Sequence, residues 1–487
     1  MRVLLATHLY PPHHTAGVEV FASVTGAHIA AAGHEVVVVT TEKDIAQPDL
    51  STREREHAGL RVIEVINNLF ARTFEETWRR PAMDRVLARV LDEVRPEVVH
   101  VHHLLYLSAG LLDLCEERGI PVVMTIHDFW LGCARFGQLL HPDGSRCAHV
   151  DVKRCGTCLP SFKWRQSDLE RRVARGVSAV KGVTGLDVSG PVRRLAAAAR
   201  SEPGPSWAPP SGGEAARFEG AASSRLEDLV STLRRCVDRV LLPARFMVPW
   251  FEELGLDPAR LHVETTGVDW EGARHHPRVE RGQGEPVRVL FLGSLVPHKA
   301  PHLLLEAWGQ LPGVTREAAT LRVLGPDQHE AGYVEGLRRA AEPLNVTVGG
   351  ALGREEVRAE MARTDVLVTP SQWTEIRPLV MLEAFAAGAR VIATDLGGMA
   401  ELVADGLPGT LFREGDVKGL RAALASELEI ARGVGGGVTS AAPVPAAGPT
   451  SGLTRGPSPR FRAWSEVGDA LIEHYERAVR GDRAPIG

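Results

Sequence analysis

Residues 370–401 read PSQWTEIRPLVMLEAFAAGARVIATDLGGMAE, directly after the β-branched run DVLVT (365–369). Pro378 suits the first position of a helix, where its missing N–H costs nothing. The apolar pattern that follows runs to Gly388, and RVIATD (390–395) returns as a strand buried on both faces. Strand, helix, strand in this order is the unit of a parallel sheet. Two carboxylates stand eight apart, Glu375 in the loop and Glu383 on the helix. Folding alone does not call for a carboxylate at Glu375. The first-turn amides of Leu379, Val380 and Met381 form an anion site, because donors and dipole point outward together. An anion held there has a carboxylate on each side. That suits a phosphate centre with hydroxyl-bearing sugars at both ends, the shape of a nucleoside diphosphate sugar. Solvated helix-end charges are the plainer account of the same glutamates.

The same rhythm extends outward. VRVLFLG (287–293), TLRVLG (320–325) and VTVGG (346–350) alternate with helical patterns, as do RVLLAT (2–7), EVVVVTT (35–41), EVVHVHH (97–103) and VVMTIHD (122–128). The fold class is α/β: two Rossmann-like doubly wound domains, which predict a ligand cleft between them at the carboxyl ends of the strands. The reading assigns 1–245 to the first domain and 246–460 to the second. Residues 461–487 form a closing helix that packs back toward the first domain. The Pro/Gly/Ala/Ser-rich stretches 201–224 and 433–459 read as flexible.

Among 487 residues, 44% are hydrophobic and 24% charged, a balance that supports sizeable cores. The net charge of −5 gives no argument for nucleic acid as a partner. No apolar run is long enough to span a membrane, and MRVLLATHLYPPHH reads as a first strand and not as a signal peptide. Six cysteines are too few for a disulfide scaffold, so a reducing cytoplasm is expected.

FLGSLVPHKAPH (291–302) places Gly293, Ser294 and Lys299 between a strand and a helix, aiming a cation at the edge where a diphosphate would lie. Arg377 stands between the two glutamates, and Gly397–Gly398 opens a second loop with backbone donors. In the first domain, Ala16–Gly17 permits close backbone approach. His127 and Asp128 end one strand, while His100, His102 and His103 cluster at another. His100, His102 and Asp128 are assigned to the acceptor side. Cys155 and Cys158 have the Cys-x2-Cys spacing of a tetrahedral zinc, although the gap from Cys133 to Cys147 is not a standard knuckle. A structural zinc on these four, plain reduced thiols and disulfides all stay open. Lys163, Arg165, Arg171, Arg172 and Arg175 surround the capping box SDLE (167–170). They read as a solvated charged face, or as a patch that meets an anionic membrane bearing a lipid-linked acceptor.

Strand-GSLVPHK followed by EIRPLVMLEAFAAGARVIATDLGGMAELV resembles the retaining glycosyltransferases of family 4, with the GT-B fold. The resemblance also covers 1–40, 97–128 and 262–269. It implies that Glu383 binds the ribose hydroxyls, that Glu375 binds donor-sugar hydroxyls, that Lys299 stabilises the diphosphate, and that His127 lies near the transferring sugar. It implies transfer to a hydroxyl acceptor in bacterial surface polysaccharide or glycoconjugate synthesis, in the cytoplasm or at the inner face of the membrane; no Asp-x-Asp motif stands in a convincing loop, so no catalytic metal is expected. The chain departs from the family at Ser294, where a second cation is usual, and at Ala300, where glycine is usual; Arg377 is expected to supply the missing charge. A sugar-nucleotide epimerase or hydrolase, and a non-catalytic sugar-nucleotide-binding protein, are the alternatives.

Overall fold

The computed structural model describes residues 1–186, 190, 210–327, 331–433 and 461–481. It divides into two compact units, Met1–Glu264 with Ser465–Gly487, and Thr265–Trp464.

The first unit is built on β1 (Arg2–Ala6), β2 (Glu35–Glu42), β3 (Thr52–His57), β4 (Leu60–Ile66), β5 (Val98–Val101), β6 (Val122–Thr125), β7 (Arg239–Leu242) and β8 (Leu261–Val263). Their order is β3-β4-β2-β1-β5-β6-β7-β8. The β3–β4 hairpin is antiparallel, and the other neighbours pair in parallel. Val3, Leu4, Leu5 and Ala6 are all fully buried, as a central strand covered on both faces requires.

The second unit carries β9 (Val287–Leu292), β10 (Ala319–Leu324), β11 (Thr347–Gly349), β12 (Val366–Thr369), β13 (Arg390–Thr394) and β14 (Gly409–Phe412). They form a parallel sheet in the order β11-β10-β9-β12-β13-β14. Alternation along the strands feeds two cores. Val287, Val289, Phe291, Val366, Val368 and Ile392 join Trp308 and Leu420 in one. Leu290, Leu367, Val391 and Ala393 join Met381 and Met399 in the other.

Three sequence expectations shift. The boundary expected at 245 falls after Glu264, because β8 extends the first sheet by pairing Val240 with Leu261. The return expected at 460–461 falls at Trp464–Ser465. Val268 N–H donates to the Arg462 carbonyl at 2.8 Å and Phe461 lies 4.3 Å from Phe385, so the intervening residues close the second unit. The last helix, Trp464–Val479, then joins the first unit: His474 Nδ1 accepts from Arg239 Nε at 2.8 Å, and Gly468 sits against the His28 ring.

The third shift concerns 201–224. Residues 201–209 lie outside the described residues, as do 434–460, which hold nearly all of the other stretch expected to be flexible. Residues 212–236, however, form one helix capped by Ser211. Among its small residues Ala222 is buried, and the helix packs closely against Val152–Cys158 near Ala215 and Glu219. A Cβ at Gly156, on the helix Val152–Cys158, would meet the Ala215 carbonyl and the Glu219 side chain.

Candidate active site

In a doubly wound sheet, ligands bind at the carboxyl ends of the strands where the order reverses. In the second unit that point lies between β9 and β12. Lys299 follows β9 on a short 3-10 turn, and Glu375 follows β12. The two meet. Lys299 Nζ donates to Glu375 Oε1, which also accepts from Trp373 Nε1 at 2.7 Å and Ser371 Oγ at 3.0 Å. Lys299 Nζ also lies 5.1 Å from the centroid of the Trp373 ring. Burial pushes the Glu375 carboxyl up, but the Lys299 charge and these three donors outweigh it and hold the group below its usual range. Trp373 and Ser371 were missed in the sequence; their signal was polar and aromatic character two and four residues before Glu375.

The helix Leu379–Ala386 starts beside this cluster, with Pro378 as N-cap and not as its first residue. No side chain caps it, so the Leu379 and Val380 amides keep their outward dipole. Met381 does not share this role, since its N–H donates to the Pro378 carbonyl at 3.1 Å. Two other expected donors are also engaged. Gly293 N–H bonds the Leu324 carbonyl at 3.0 Å, continuing the sheet, and Gly398 N–H bonds the Glu375 carbonyl at 2.8 Å. A side chain at Gly398 would collide with the Ile376 carbonyl, so the Gly-Gly loop is explained by packing. Ser294 bends the chain after β9, its carbonyl accepting from Val296 N–H at 2.9 Å. Arg377 is buried, with 6% of its surface exposed, and does not point to solvent.

Glu383 lies one turn further along this helix and is half-buried. Burial pushes its carboxyl up to about 7; Arg354 and Arg358 oppose the shift and Asp269 adds to it. Desolvation is the main cause of this rise, so ionising the carboxyl would cost less once a ligand brought donors to it.

In the first unit the order reverses between β1 and β5. Histidines collect where these strands and β6 end. His8 and His103 rings lie 4.6 Å apart, and His102 Nδ1 shares a hydrogen bond of 3.2 Å with His127 Nε2. Leu105 N–H donates to His103 Nδ1 at 2.9 Å, which leaves the proton on Nε2 for Asp128 Oδ2 at 3.0 Å. Burial, with His103 nearby, drives His127 down to about 3 against the pull of Asp128. His8 and His102 are likewise lowered well below the ordinary value, mainly by burial. Gly17 opens the first helix, Gly17–Ala31, with free space where a side chain would stand.

Two acceptor-side expectations are corrected. His100 is wholly buried and shares hydrogen bonds with Tyr475 Oη at 2.6 Å and Thr125 Oγ1 at 2.8 Å, so it anchors the last helix. His102 is also buried and supports His127 from behind. Asp128 is tied to the chain as well, accepting from Trp130 N–H at 2.7 Å. Glu19 was missed: it is buried on the first helix, 3.4 Å from His8 Nε2. An acid in the apolar turn GVEVF was its signal.

A small cavity of about 60 Å³ opens close to this cluster, walled by Tyr106, Leu107, Trp130, Phe136, Phe162 and Trp164. Arg225 lies beneath Trp130, fully buried, donating to the Trp130 and Leu131 carbonyls at 2.6 and 3.1 Å. Cys133, Cys147, Cys155 and Cys158 lie nearby as free thiols, raised chiefly by burial, Cys155 to about 12. No three of them converge within a metal's ligand span. Among the described residues that span is met by Asp113, Glu116 and Cys236, whose carboxylates pair with Arg79 and Arg235.

The model of the family described as "Glycosyltransferase Family 4" matches residues 15–183, and that of "Glycosyl transferases group 1" matches 274–431, together more than half of the chain. The chain belongs to glycosyltransferase family 4. This family 4 chain is 33% identical over 232 residues to the D-inositol 3-phosphate glycosyltransferase of Mycobacterium ulcerans, the match covering 46% of each. The Mycobacterium tuberculosis protein of that name is 31% identical over 234 residues, 45% of its length. The chain thus spans about half the length of the curated relatives it matches. Among solved structures, sucrose-phosphate synthase from Thermosynechococcus elongatus aligns with a TM-score of 0.59 and 15% identity over 99% of both chains. Anabaena HepE in complex with UDP aligns at 0.57 and 14%, covering 98% of this chain and 100% of that one. At such identities the likeness carries the fold alone, and the fold is GT-B.

Proposed function

We propose that the protein is a retaining, metal-independent glycosyltransferase that moves a sugar from a nucleoside diphosphate donor to the hydroxyl of a lipid-linked acceptor in surface glycoconjugate synthesis. The observation that carries this reading is the convergence of Lys299 and Glu375 beside the uncapped start of the helix Leu379–Ala386. The diphosphate takes the helix amides and the Lys299 charge. Lys299 is held by Glu375 until a phosphate competes for it, and the released carboxylate accepts hydroxyls of the donor sugar. Glu383 accepts the ribose hydroxyls. As the bond from the anomeric carbon to the diphosphate oxygen breaks, the acceptor oxygen attacks the same face, and its proton leaves on the departing phosphate. His127 stays neutral and binds the sugar as a hydrogen-bond partner. Anabaena HepE has been solved in complex with UDP-glucose, and the mycobacterial relatives are named for D-inositol 3-phosphate, so both compounds belong in the first screen. Calorimetry with UDP-glucose and other nucleotide sugars tests donor binding. A hit should weaken by roughly 1.5–3 kcal/mol in Glu383→Ala, the worth of hydrogen bonds to a charged group. Product NMR then reads the anomeric configuration: retention supports the mechanism, and inversion ends it.

A further inference from the structure

The helix Asp168–Thr184 carries an apolar stripe that faces solvent. Leu169 is 71% exposed, Val173 41%, Val180 40% and Val183 87%, and Leu186 just beyond the Gly185 cap is 66% exposed. At 100° per residue the four helical positions fall within about 80° of arc. The helix buries a different face, through Ala174 and Val177. Five of the nine large hydrophobics exposed among the described residues therefore lie on this one segment, and such concentration marks an interaction surface.

Arginines border the stripe. Arg172 and Arg175 are both exposed and make no ion pair among the described residues, while Lys163 and Arg171 pair locally with Glu170 and Asp168. Arg165 lies over the Trp164 ring at 4.9 Å. A cationic edge beside an apolar stripe, on a chain whose net charge is −5, selects an anionic partner with an apolar interior. The segment is also continuous with the cavity. Phe162, Lys163 and Trp164 line its wall, and the helix begins four residues later. No helix among the described residues is long and apolar enough to cross a membrane, so the helix lies on the surface that it meets.

We propose that Asp168–Thr184 lies in the interface of an anionic lipid bilayer, apolar stripe down and arginines at the headgroups, and so sets the mouth of the aromatic cavity against the membrane. The inference stands independently of the transferase reading, because binding is measured without turnover. The test is flotation of the full chain with vesicles of phosphatidylcholine, alone and mixed with phosphatidylglycerol. Wild type floats with the mixed vesicles and stays behind with the neutral ones. Leu169→Ser with Val183→Ser, and separately Arg172→Glu with Arg175→Glu, each weaken binding by roughly tenfold or more, since each basic residue near such a surface contributes about 1 kcal/mol. Both pairs of positions are solvent-facing, so thermal melts should match wild type and exclude misfolding. Wild type that fails to float with anionic vesicles overturns the proposal, as do charge-reversed variants that bind undiminished. A dimer in light scattering that the serine variant converts to monomer, with no vesicle binding, assigns the stripe to a second copy instead.

Discussion

The two switch points solve the same placement problem with opposite chemistry. The second unit gathers charge: Lys299 and Glu375 neutralise each other, and Glu383 stands nearby. The first unit gathers imidazoles that burial keeps neutral, with His127 near 3 and His8, His100 and His102 well below their ordinary values. A charged cluster stabilises a developing phosphate, whereas a neutral donor-acceptor cluster recognises hydroxyls. Under the proposed function the contrast gives leaving-group work to one unit and hydroxyl recognition, through His127, to the other.

The largest effect expected is at Lys299. Lys299→Met should lower turnover by about 10²–10³, the scale for loss of one preorganised electrostatic contact. It should also destabilise the fold, because a buried carboxylate loses its partner. Lys299→Met with Glu375→Gln should recover stability but not turnover. If the double variant regains turnover, the pair is structural and the contrast fails.

Opposite pH responses should follow from the two clusters. Buried neutral imidazoles stay unprotonated while the unfolded chain takes up protons, so the first unit loses stability as pH falls below about 6.5. Glu383 acts the other way. Its carboxyl, raised to about 7, binds a proton in the fold that the unfolded chain has already released, so its contribution is complete below the unfolded value and fades as pH rises through 7. Glu383→Gln should therefore raise the melting temperature at pH 8 and leave it nearly unchanged at pH 4. A uniform rise at both would assign the effect to something other than titration.

A smaller effect concerns His102. Its Nε2 is buried without a hydrogen-bond partner among the described residues. An orphaned N–H is rarer than an orphaned acceptor, so the proton belongs on Nδ1, donated to His127, which then presents Nδ1–H outward. Nitrogen-15 shifts of His127 should show this tautomer. His102→Phe should redistribute it and cost roughly threefold to tenfold in turnover, the range for one hydrogen bond. Unchanged shifts would leave His102 a packing residue.

The smallest effect is at Ala300, which has φ +54° in the left-handed region and is fully buried. Ala300→Gly relieves about 1 kcal/mol of strain and forfeits a methyl group worth about as much. Denaturant melts should differ by less than about 1 kcal/mol. On this account the family's glycine answers to backbone conformation, which the alanine here adopts as well.

What the sequence made legible was local. Glu375, Glu383 and Lys299 stand in continuous strand-loop-helix segments whose periods announce them. The alternating cores followed from the same periods. The histidines were visible as strand-end residues, but their roles were not: His100 and His102 are separated from their working positions by which neighbour each ring meets, and Tyr475 arrives from 375 residues away. The helix at 212–236 hid behind Gly, Ala and Ser, because small residues signal flexibility and close packing alike.

The return of the chain at Trp464–Ser465 bears on how such a protein can be taken apart. A piece cut at Glu264 strips Tyr475 from His100, His474 from Arg239 and Asp469 from His28, and uncovers the bed of a sixteen-residue helix. The two halves are therefore not modules in tandem. Any exchange of the donor-side half between relatives, in the laboratory or in evolution, has to insert it at two junctions, as a guest inside its host, with the host's own last helix left in place.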